Sequence, residues 1–567
     1  MRYGSDVVIE WLAALGVKHV AINPGATIRG LHESLVRDQR LETVFALHEE
    51  TAVGIAHGFW KATGSPMAVF VHDLVGLQHA SMALFNATVD RAAMLVIGGA
   101  GPRDETSRRP WLDWVHSSAS HSAWARDVVK WAAEPASLLG VRDALARGMR
   151  TAVSAPEGPV YICVDTEQQE ASVSGDAGLG ELPKLPPFRP RASSQEVTDV
   201  ARMLASASHP VIVVDRPVRG GRSTLVPLVE QIGAAVVDLG GGFSFPTTHW
   251  ADQTESRPGV LAEADLILVL EARDVAWALS DVDTGTRRKT WLPSPSANVI
   301  AVGCGALQNV PGVVLDELVP SARHITSDVA LFLNDLLTQI GSSGTDCSSD
   351  RRRRLSSGHD AARSASRRAA LAHAGTSPVR PAQLAMALHD AIKDGPWVLA
   401  NGIVKGWPQR LWDFGDRGEF LGRSGGEGLG YGMPASIGAA IGHRDSDRLV
   451  VNLQADGDLL YTASALWTVA HHQLPLLTVM YNNASYAKDE LHQRETARLR
   501  GRSTDTTHIA IRMDDPPVDF AKLAQAQGVE GIGPVDDPAR LPSVLAEAVR
   551  AVREERRPIL VDVRCSE

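Results

Sequence analysis

Gln454-Ala455-Asp456-Gly457-Asp458, followed later by Asn482-Asn483, is the part of the sequence that decides the fold. The apolar run 449–453 directly before the first motif predicts a buried strand, and the run 476–481 before the asparagines predicts another. A helix between two such strands brings the second back in the same direction, so the pair is expected to be parallel. Both polar motifs therefore follow the carboxyl end of a strand.

Asp456 and Asn483 are expected to meet at one edge of the predicted sheet, where ligands of open α/β sheets bind. The helix predicted over 463–472, with Thr462 as its N-cap, points its positive N-terminal end at the same place. Carboxylate and amide oxygens suit Mg2+, which keeps phosphate oxygens in its shell. The pattern predicts a diphosphate held through magnesium, since a simple helix cap would not need the later asparagines.

This arrangement of Asp-Gly, a fixed interval and Asn-Asn resembles the signature of thiamine diphosphate-dependent enzymes. The family pattern begins Gly-Asp-Gly, whereas this chain has Ala455, a departure that matters only if the backbone there needs a positive φ. The resemblance implies an Mg2+ site and a cofactor diphosphate site. The implied metal ligands are Asp456, Asn483 and Ser485. The implied diphosphate-site residues are Gly457 and Asp458.

The segment Phe45–Gly58 resembles the family region that supplies a glutamate to the pyrimidine ring of the cofactor. The resemblance puts Glu49 in the catalytic position, where its carboxyl shares a proton with a ring nitrogen. Taken alone, Glu49 and Glu50 are equally well explained as first-turn acids favoured by a helix dipole. Together with the distant metal motif, the catalytic role is favoured. Small residues would let the following helix pack closely: Ala52, Gly54, Ala56 and Gly58.

A third segment, Glu427–Pro434, resembles the part of the family that wraps the middle of the cofactor. By this resemblance the carbonyl of Glu427 accepts from the 4′-amino group, Gly428 admits close backbone approach, and Leu429 wedges between the two rings. The turn at Pro24 and Gly25, after the first predicted strand, is expected to line the same site.

The resemblance implies decarboxylation of a 2-oxo acid, followed by aldehyde release or by carboligation to a second carbonyl, as in acetolactate synthases. His72 resembles the active-site histidine of the benzoylformate decarboxylase branch, and Asp489 falls where pyruvate decarboxylases place an acid. His79, His121 and His492 are further candidates, although most histidines are structural. The identity of the substrate cannot be read from the sequence.

Two alternatives remain open. A flavin-containing relative of the acetohydroxyacid synthase or pyruvate oxidase type would bind FAD in its central domain. The glycines at 220–221 and 240–242, after predicted central strands, fit a phosphate loop but equally fit plain turns. FAD is therefore possible but not favoured. A non-catalytic scaffold is disfavoured because Glu49, Asp456 and Asn483 are all present.

The composition agrees with a multidomain protein outside the nucleic-acid-binding and membrane-spanning classes. A chain of 567 residues exceeds the size of one core, and the net charge of −10 argues against a nucleic-acid partner. The four cysteines are scattered without a Cys-x-x-Cys pair, as in reduced proteins. Neither a signal sequence nor a run of membrane-spanning length is recognised, so a cytoplasmic location is predicted.

The sequence predicts an α/β protein with three consecutive domains and mainly parallel sheets, over 1–170, 195–340 and 376–567. A proline-rich stretch around 183–190 and a solvated polar connector over 341–364 are the predicted linkers. The resemblance identifies the domains as pyrimidine-binding, central and diphosphate-binding. It also implies a homodimer or homotetramer with active sites between subunits, acting on a small-molecule 2-oxo acid.

Overall fold

The computed structural model describes residues 1–173, 179–218, 221–283, 285–307, 318–319, 321–341, 349–372, 375–402, 404–415 and 418–566. It has three consecutive α/β domains, each built on a parallel sheet, as predicted. Gly220, from one of the candidate phosphate loops, and Cys347 lie outside these residues. In the described part of the chain, no helix combines the length and apolar character needed to cross a membrane.

The first domain is built on a parallel sheet with helices around it. Its strands are β1 (Arg2–Tyr3), β2 (His19–Ile22), β3 (Glu42–Phe45), β4 (Met67–Val71), β5 (Met94–Ala100), β6 (Trp131–Ala133), β7 (Pro159–Asp165) and β8 (Ser172–Val173). Its helices are α1 (Gly4–Ala14), α2 (Arg29–Arg37), α3 (Glu49–Thr63), α4 (Asp73–Val89), α5 (Leu112–Val115), α6 (His121–Ala125), α7 (Leu138–Val153) and α8 (Thr166–Glu170). The sheet order is β3-β2-β4-β5-β7-β6. Every residue of β4, β5 and β7 is buried, as expected when helices cover both faces.

The central domain has a parallel sheet of order β10-β9-β11-β14-β15 and a separate antiparallel pair, β12 with β13. The strands are β9 (Pro210–Val214), β10 (Ala235–Asp238), β11 (Leu266–Leu270), β12 (Ser280–Val282), β13 (Lys289–Trp291), β14 (Asn298–Gly303) and β15 (Ala322–Thr326). The helices are α9 (Ser194–Ser206), α10 (Arg222–Ile232), α11 (Arg257–Glu263), α12 (Val275–Ala278), α13 (Val329–Gly341) and α14 (Ser349–Leu371). The strands predicted at 211–214, 235–237, 266–270 and 299–302 are confirmed.

The third domain carries the decisive motifs on a parallel sheet of order β17-β16-β18-β19-β21-β20. The strands are β16 (Trp397–Asn401), β17 (Gly418–Phe420), β18 (Leu449–Ala455), β19 (Leu476–Asn482), β20 (Glu530–Val535) and β21 (Ile559–Arg564). The helices are α15 (Pro381–Ile392), α16 (Trp407–Leu411), α17 (Gly432–Gly442), α18 (Asp456–Tyr461), α19 (Ala465–His471), α20 (Ala487–Leu499), α21 (Phe520–Ala526) and α22 (Leu541–Glu555). β18 and β19 are adjacent and parallel, as the sequence predicts.

The helix predicted over 463–472 is confirmed as α19 (Ala465–His471), but a second short helix, α18, also lies between β18 and β19 and was not predicted. α18 begins at Asp456 directly after β18, and α19 begins later, with Ser464 at its N-cap. Thr462 does not cap a helix; its hydroxyl donates to the carbonyl of Gly430 at 3.1 Å. Acidic residues in the first turn of α18 suit the dipole of a helix that starts at Asp456.

The solvated connector predicted over 341–364 is wrong for residues 349–364, because these belong to α14, which packs on the central domain. Residues 342–348 lie outside the described residues. The guanidinium of Arg351 donates to the carbonyls of Ile232 and Ala207, at 2.8 and 3.0 Å. These are carbonyls at the ends of helices, which a cationic side chain satisfies. The domain limits at 170 and 376 stay predictions. β8 pairs with β1 in a separate antiparallel two-stranded sheet, so residues 172–173 are tied to the start of the first domain.

Helices α3 and α17 pack backbone to backbone and join the first domain to the third. A Cβ atom on Gly58 would lie 1.9 Å from the carbonyl oxygen of Ala435, and one on Gly438 would lie 2.0 Å from that of Ile55. The close packing expected from the small residues of α3 is confirmed. Side chains at either glycine would force the two domains apart.

Candidate active site

Asp456 and Asn483 converge at the carboxyl edge of the third sheet. The backbone N–H of Ser485 lies 3.1 Å from Asn483 Oδ1 and 3.3 Å from Asp456 Oδ2, so one donor serves both side chains. The N–H of Gly457 donates to the other oxygen, Oδ1, of Asp456 at 2.8 Å. Two hard oxygen ligands from distant parts of the chain are thereby held side by side.

The two asparagines after β19 have different roles. Asn482 is buried, and its amide donates to Asp562 Oδ1 at 2.8 Å, which ties β19 to β21. Asn483 is only partly buried, and its amide oxygen faces the N–H of Ser485. The first asparagine is therefore structural, and the second is the one available to a ligand.

The chemistry of this edge fits a divalent cation. Burial raises the pKa of Asp456, against the lowering effect of the N–H groups around it, so a bound cation would stabilise the carboxylate. Ser485 Oγ is buried and has no hydrogen-bond partner among the described residues, and the backbone N–H of the same residue meets both candidate ligands. Gly457 lies against the ring of Tyr486, where a Cβ would be 2.4 Å from Cε1.

Asp458, expected to contact the cofactor, has its carboxylate engaged within the protein. It accepts from the N–H groups of Gly430 and Gly432, at 2.9 and 3.0 Å, and from the amide of Gln454 at 2.6 Å. These bonds connect the Asp-Gly-Asp motif to the segment 427–431. The structure thus gives Asp458 the role of fixing that segment relative to Asp456.

The segment holding Glu427, Gly428 and Leu429 lies between the first and third domains. Glu427 has a positive φ of 52°, a strained conformation for a residue with a side chain. Its carboxylate pairs with Lys488 at 3.3 Å, and Leu429 remains partly exposed. Gly428 is hydrogen-bonded through both backbone polar groups to the side chain of Asn86. The segment is therefore held in one conformation from both sides.

Glu49 is the first residue of α3 and is 4% exposed. Its Oε2 lies 3.4 Å from Nδ1 of His79, whose ring stacks on that of His48 at a centroid distance of 4.9 Å. One imidazole nitrogen each of His48 and His79 and one carboxylate oxygen of Glu49 lie within 4.8 Å of one another. A buried carboxyl beside two imidazoles is suited to holding or passing on a proton.

His72 directly follows β4, as the N-cap residue of α4, and lies next to the turn at Pro24 and Gly25. A Cβ on Gly25 would lie 2.3 Å from His72 Cβ, so only glycine admits the imidazole here. The N–H of Thr27 lies 3.4 Å from His72 Nδ1, and the hydroxyl of Thr27 lies 2.9 Å from the same nitrogen. Burial lowers the pKa of His72. A neutral ring that accepts at Nδ1 carries its proton on Nε2. The adjoining cavity of about 480 Å³ is lined by Pro24, Gly25, Arg29, His32, Glu33 and Val36.

Two features near His72 were missed by the sequence reasoning. The ring of His116 lies edge-on to that of His72, with 5.2 Å between centroids. Asp73 has a φ of 48°, is fully buried, and its Oδ1 lies 2.6 Å from Nε2 of His121. His121, a candidate from the sequence, is thus a buried partner of Asp73 that fixes the strand end. A strained acid directly after β4 has no signal in a single sequence.

The remaining candidates lie on α20. Asp489 is exposed in the first turn, and its N–H donates to the carbonyl of Tyr486 at 2.9 Å. His492 is also exposed. Neither contacts Asp456 or Asn483 among the hydrogen bonds and ion pairs of the described residues. Within the same set, no such contact joins Glu49 or His72 to Asp456 or Asn483.

The glycines at 240–242, the alternative phosphate loop, are used for packing. A Cβ on Gly241 would lie 2.2 Å from the carbonyl oxygen of Asp215, and one on Gly242 would lie 2.6 Å from Pro217 Cγ. The carboxylate of Asp215 is paired with Arg273 at 2.6 Å. These glycines serve close contact between protein segments, which is the plain-turn interpretation.

Comparison with known proteins finds family matches in the first and the third domain. Residues 2–122 match the family described as thiamine pyrophosphate enzyme, N-terminal TPP binding domain, and residues 400–563 match its C-terminal TPP binding domain. The chain is 26% identical to benzoylformate decarboxylase of Pseudomonas aeruginosa, over 98% of this chain and 97% of the relative. It is 21% identical to acetolactate synthase of Bacillus subtilis, over 99% and 92%.

A solved structure shows the same fold. The thiamine diphosphate-dependent 4-hydroxybenzoylformate decarboxylase of Rhodococcus jostii RHA1 superimposes with a TM-score of 0.75 at 22% identity. The match covers 100% of this chain and 99% of that one. The three-domain arrangement is therefore that of a known enzyme architecture.

Glu50→Gln is expected to stabilise the protein above pH 7. Burial, and then the charge of Asp458, raise the pKa of Glu50 from 4.5 to about 7. The folded state therefore binds the proton of the Glu50 carboxyl more tightly than the unfolded state does. The stabilisation that this proton gives the folded state is complete below pH 4.5 and is lost as the pH rises through 7. Because Glu50 is only half buried, screening limits the effect to about 1 kcal/mol.

Urea unfolding of both proteins between pH 5 and 8 measures this. The variant should lose less stability across that range than the wild type, whereas Glu547→Gln, at an exposed position on α22, should follow the wild type. Identical pH profiles for Glu50→Gln and the wild type would contradict the assignment.

Proposed function

Because the chain belongs to the thiamine pyrophosphate enzyme family, we propose that it is a thiamine diphosphate- and Mg2+-dependent 2-oxo acid decarboxylase. The observation that supports this most is the convergence of Asp456 and Asn483 on the N–H of Ser485. The bound cofactor supplies a thiazolium ring, which accepts the electron pair released as carbon dioxide leaves.

The residues of the third domain would hold the cofactor's charged end. Asp456, Asn483 and Ser485 offer the oxygen atoms that a small divalent cation requires. Gly428 and Leu429 would contact the middle of the cofactor, in a segment fixed by Asp458. The strained backbone at Glu427 directs its carbonyl, and such strain is retained where a ligand needs one conformation.

The residues of the first domain would manage protons. Glu49 would hold a proton at the pyrimidine ring, with His79 as its neighbour at 3.4 Å. His72, neutral because burial lowers its pKa, would present Nε2–H to the substrate's reacting oxygen or carbon. The cavity beside Pro24 and Gly25 would receive the substrate.

The substrate is proposed to be a small 2-oxo acid, and aldehyde release is the primary outcome. Similarity to benzoylformate decarboxylase over nearly the whole chain supports decarboxylation. Similarity to an acetolactate synthase supports carboligation as the alternative outcome. Carbon dioxide release from a panel of 2-oxo acids, with and without an acceptor aldehyde, distinguishes the two. FAD is not part of the proposal, and a cytoplasmic location stays a prediction.

Asp456→Ala is expected to abolish Mg2+-dependent binding of thiamine diphosphate. Losing an anionic metal ligand should weaken cofactor affinity at least about 100-fold, or ~2.7 kcal/mol. Titration calorimetry with Mg2+ or with EDTA measures it, and Asp445→Ala, an exposed acid near β18, is the control. Equal affinity of Asp456→Ala and the control would contradict the metal assignment. A wild type that fails to bind would support the scaffold alternative.

His72→Ala is expected to lower turnover by about 10²–10⁴-fold, the usual contribution of a general acid or base. Cofactor affinity should stay at the wild-type value, since His72 is assigned to the substrate and not to the cofactor or the metal. Steady-state decarboxylation and calorimetry on the same preparation separate the two effects. His324→Ala, at an exposed position on β15, should leave both unchanged. Full turnover in His72→Ala would remove it from the mechanism.

We also propose a homodimer, or a tetramer built from two such dimers, with Glu49 of one subunit completing the Asp456 site of another. Membership of the thiamine pyrophosphate enzyme family supports this, and within one chain no hydrogen bond or ion pair of the described residues joins Glu49 to Asp456 or Asn483. Co-expression of Glu49→Gln and Asp456→Ala chains should restore about a quarter of wild-type activity, because half the dimers are mixed and have one intact site. Mixed dimers that are isolated by two tags and remain inactive would contradict it.

A further inference from the structure

A buried triad of Lys61, Asp90 and His57 lies where α3 meets the end of α4. Lys61 Nζ is 2.6 Å and His57 Nε2 is 3.0 Å from Asp90 Oδ2. The side chain of His57 is 1% exposed, and those of Lys61 and Asp90 are 10% exposed each. Burial would lower the pKa of Lys61, but Asp90 raises it above the ordinary value, so the pair is ionised. A buried ion pair is weak evidence for a role in stability, because well-packed apolar residues often replace such pairs without loss, so we consider a positioning role for these charges.

The triad contacts both ends of the cofactor segment of the third domain. Lys61 Nζ donates to the carbonyl of Arg423 at 2.9 Å. A Cβ on Gly425 would lie 2.1 Å from Asp90 Oδ1, so this glycine rests directly on the carboxylate. At the other end, Lys61 Nζ lies 4.9 Å above the ring centroid of Tyr431. Segment 423–431 is therefore held at its start and its end by one buried cation.

The middle of the segment is held by Asn86, which is 2% exposed on α4. Its Nδ2 donates to the carbonyl of Gly428, and its Oδ1 accepts from the N–H of the same residue, both at 3.2 Å. An amide side chain is needed for this reciprocal pair, because it alone offers a donor and an acceptor side by side. Gly428 adjoins Glu427 and Leu429, the residues assigned to the middle of the cofactor.

We propose that Asn86, together with Lys61 and Asp90, positions segment 423–431 for cofactor binding, so that the first domain sets the cofactor affinity of its own chain's third domain. These groups touch neither substrate nor metal ligands, so they are positioning residues rather than catalytic ones. The inference rests on the proposed function only for the identity of the cofactor. The pre-formed segment is a property of the cofactor-free chain.

Asn86→Leu tests this, because leucine has nearly the same size but neither hydrogen-bonding group. The affinity for thiamine diphosphate with Mg2+, measured by titration calorimetry, should fall about 10-fold, or ~1.4 kcal/mol. Turnover at saturating cofactor should return close to the wild-type value, since the reacting groups are unchanged. In the cofactor-free protein, amide hydrogen exchange over 423–431 should become faster than in the wild type.

Thr224→Val is the matched control, because it removes a buried hydrogen bond, to Asn334 at 2.9 Å, in the central domain. It should leave both cofactor affinity and exchange over 423–431 unchanged. If Asn86→Leu does not fold, Asn86→Ala serves the same test. A folded Asn86 variant with wild-type affinity and wild-type exchange would overturn the inference. A wild type that does not bind thiamine diphosphate would reject the proposed function instead, while the exchange measurement would still decide the role of Asn86.

Discussion

One backbone N–H, that of Ser485, organises the candidate active site. It brings Asp456 Oδ2 and Asn483 Oδ1 to the same point, although the residues follow different strands. This depends on β18 and β19 being adjacent and parallel, since only then do their carboxyl ends meet. Asn482 donates a hydrogen bond to Asp562 on β21, which fixes the end of β19 and therefore the position of Asn483.

The neighbouring acids Glu49 and Glu50 at the start of α3 serve different surroundings. Glu49 is buried beside His79, whereas Glu50 is influenced by Asp458 of the third domain. A helix that packs tightly on α17 thus presents one acid to His79 and the other to the segment that is proposed to bind the cofactor. The close packing at Gly58 and Gly438 makes these two orientations fixed rather than variable.

The sequence predicted the sheets and the convergence of Asp456 with Asn483, because parallel topology follows from alternating strands and helices. Ala455 in place of the family's glycine is also explained: its φ is −76°, so no positive φ is required there. Two failures have physical causes. At six residues α18 is too short to show helical periodicity, so the sequence predicts only the helix that follows it. α14 docks on the central domain through hydrogen bonds of Arg351 to backbone carbonyls and not through a broad apolar face, so no apolar pattern indicates that it packs. Contacts such as Asn86 with Gly428 depend on tertiary packing and have no local signal.

A crystal structure with thiamine diphosphate and Mn2+ in place of Mg2+ tests the central claim most directly. We expect an anomalous peak about 2.1 Å from the side-chain oxygens of Asp456 and Asn483, which is the distance typical of a small divalent cation. The same peak should be in contact with the diphosphate. A cofactor bound elsewhere, or a diphosphate bound at this edge with no metal between these two side chains, would contradict the account.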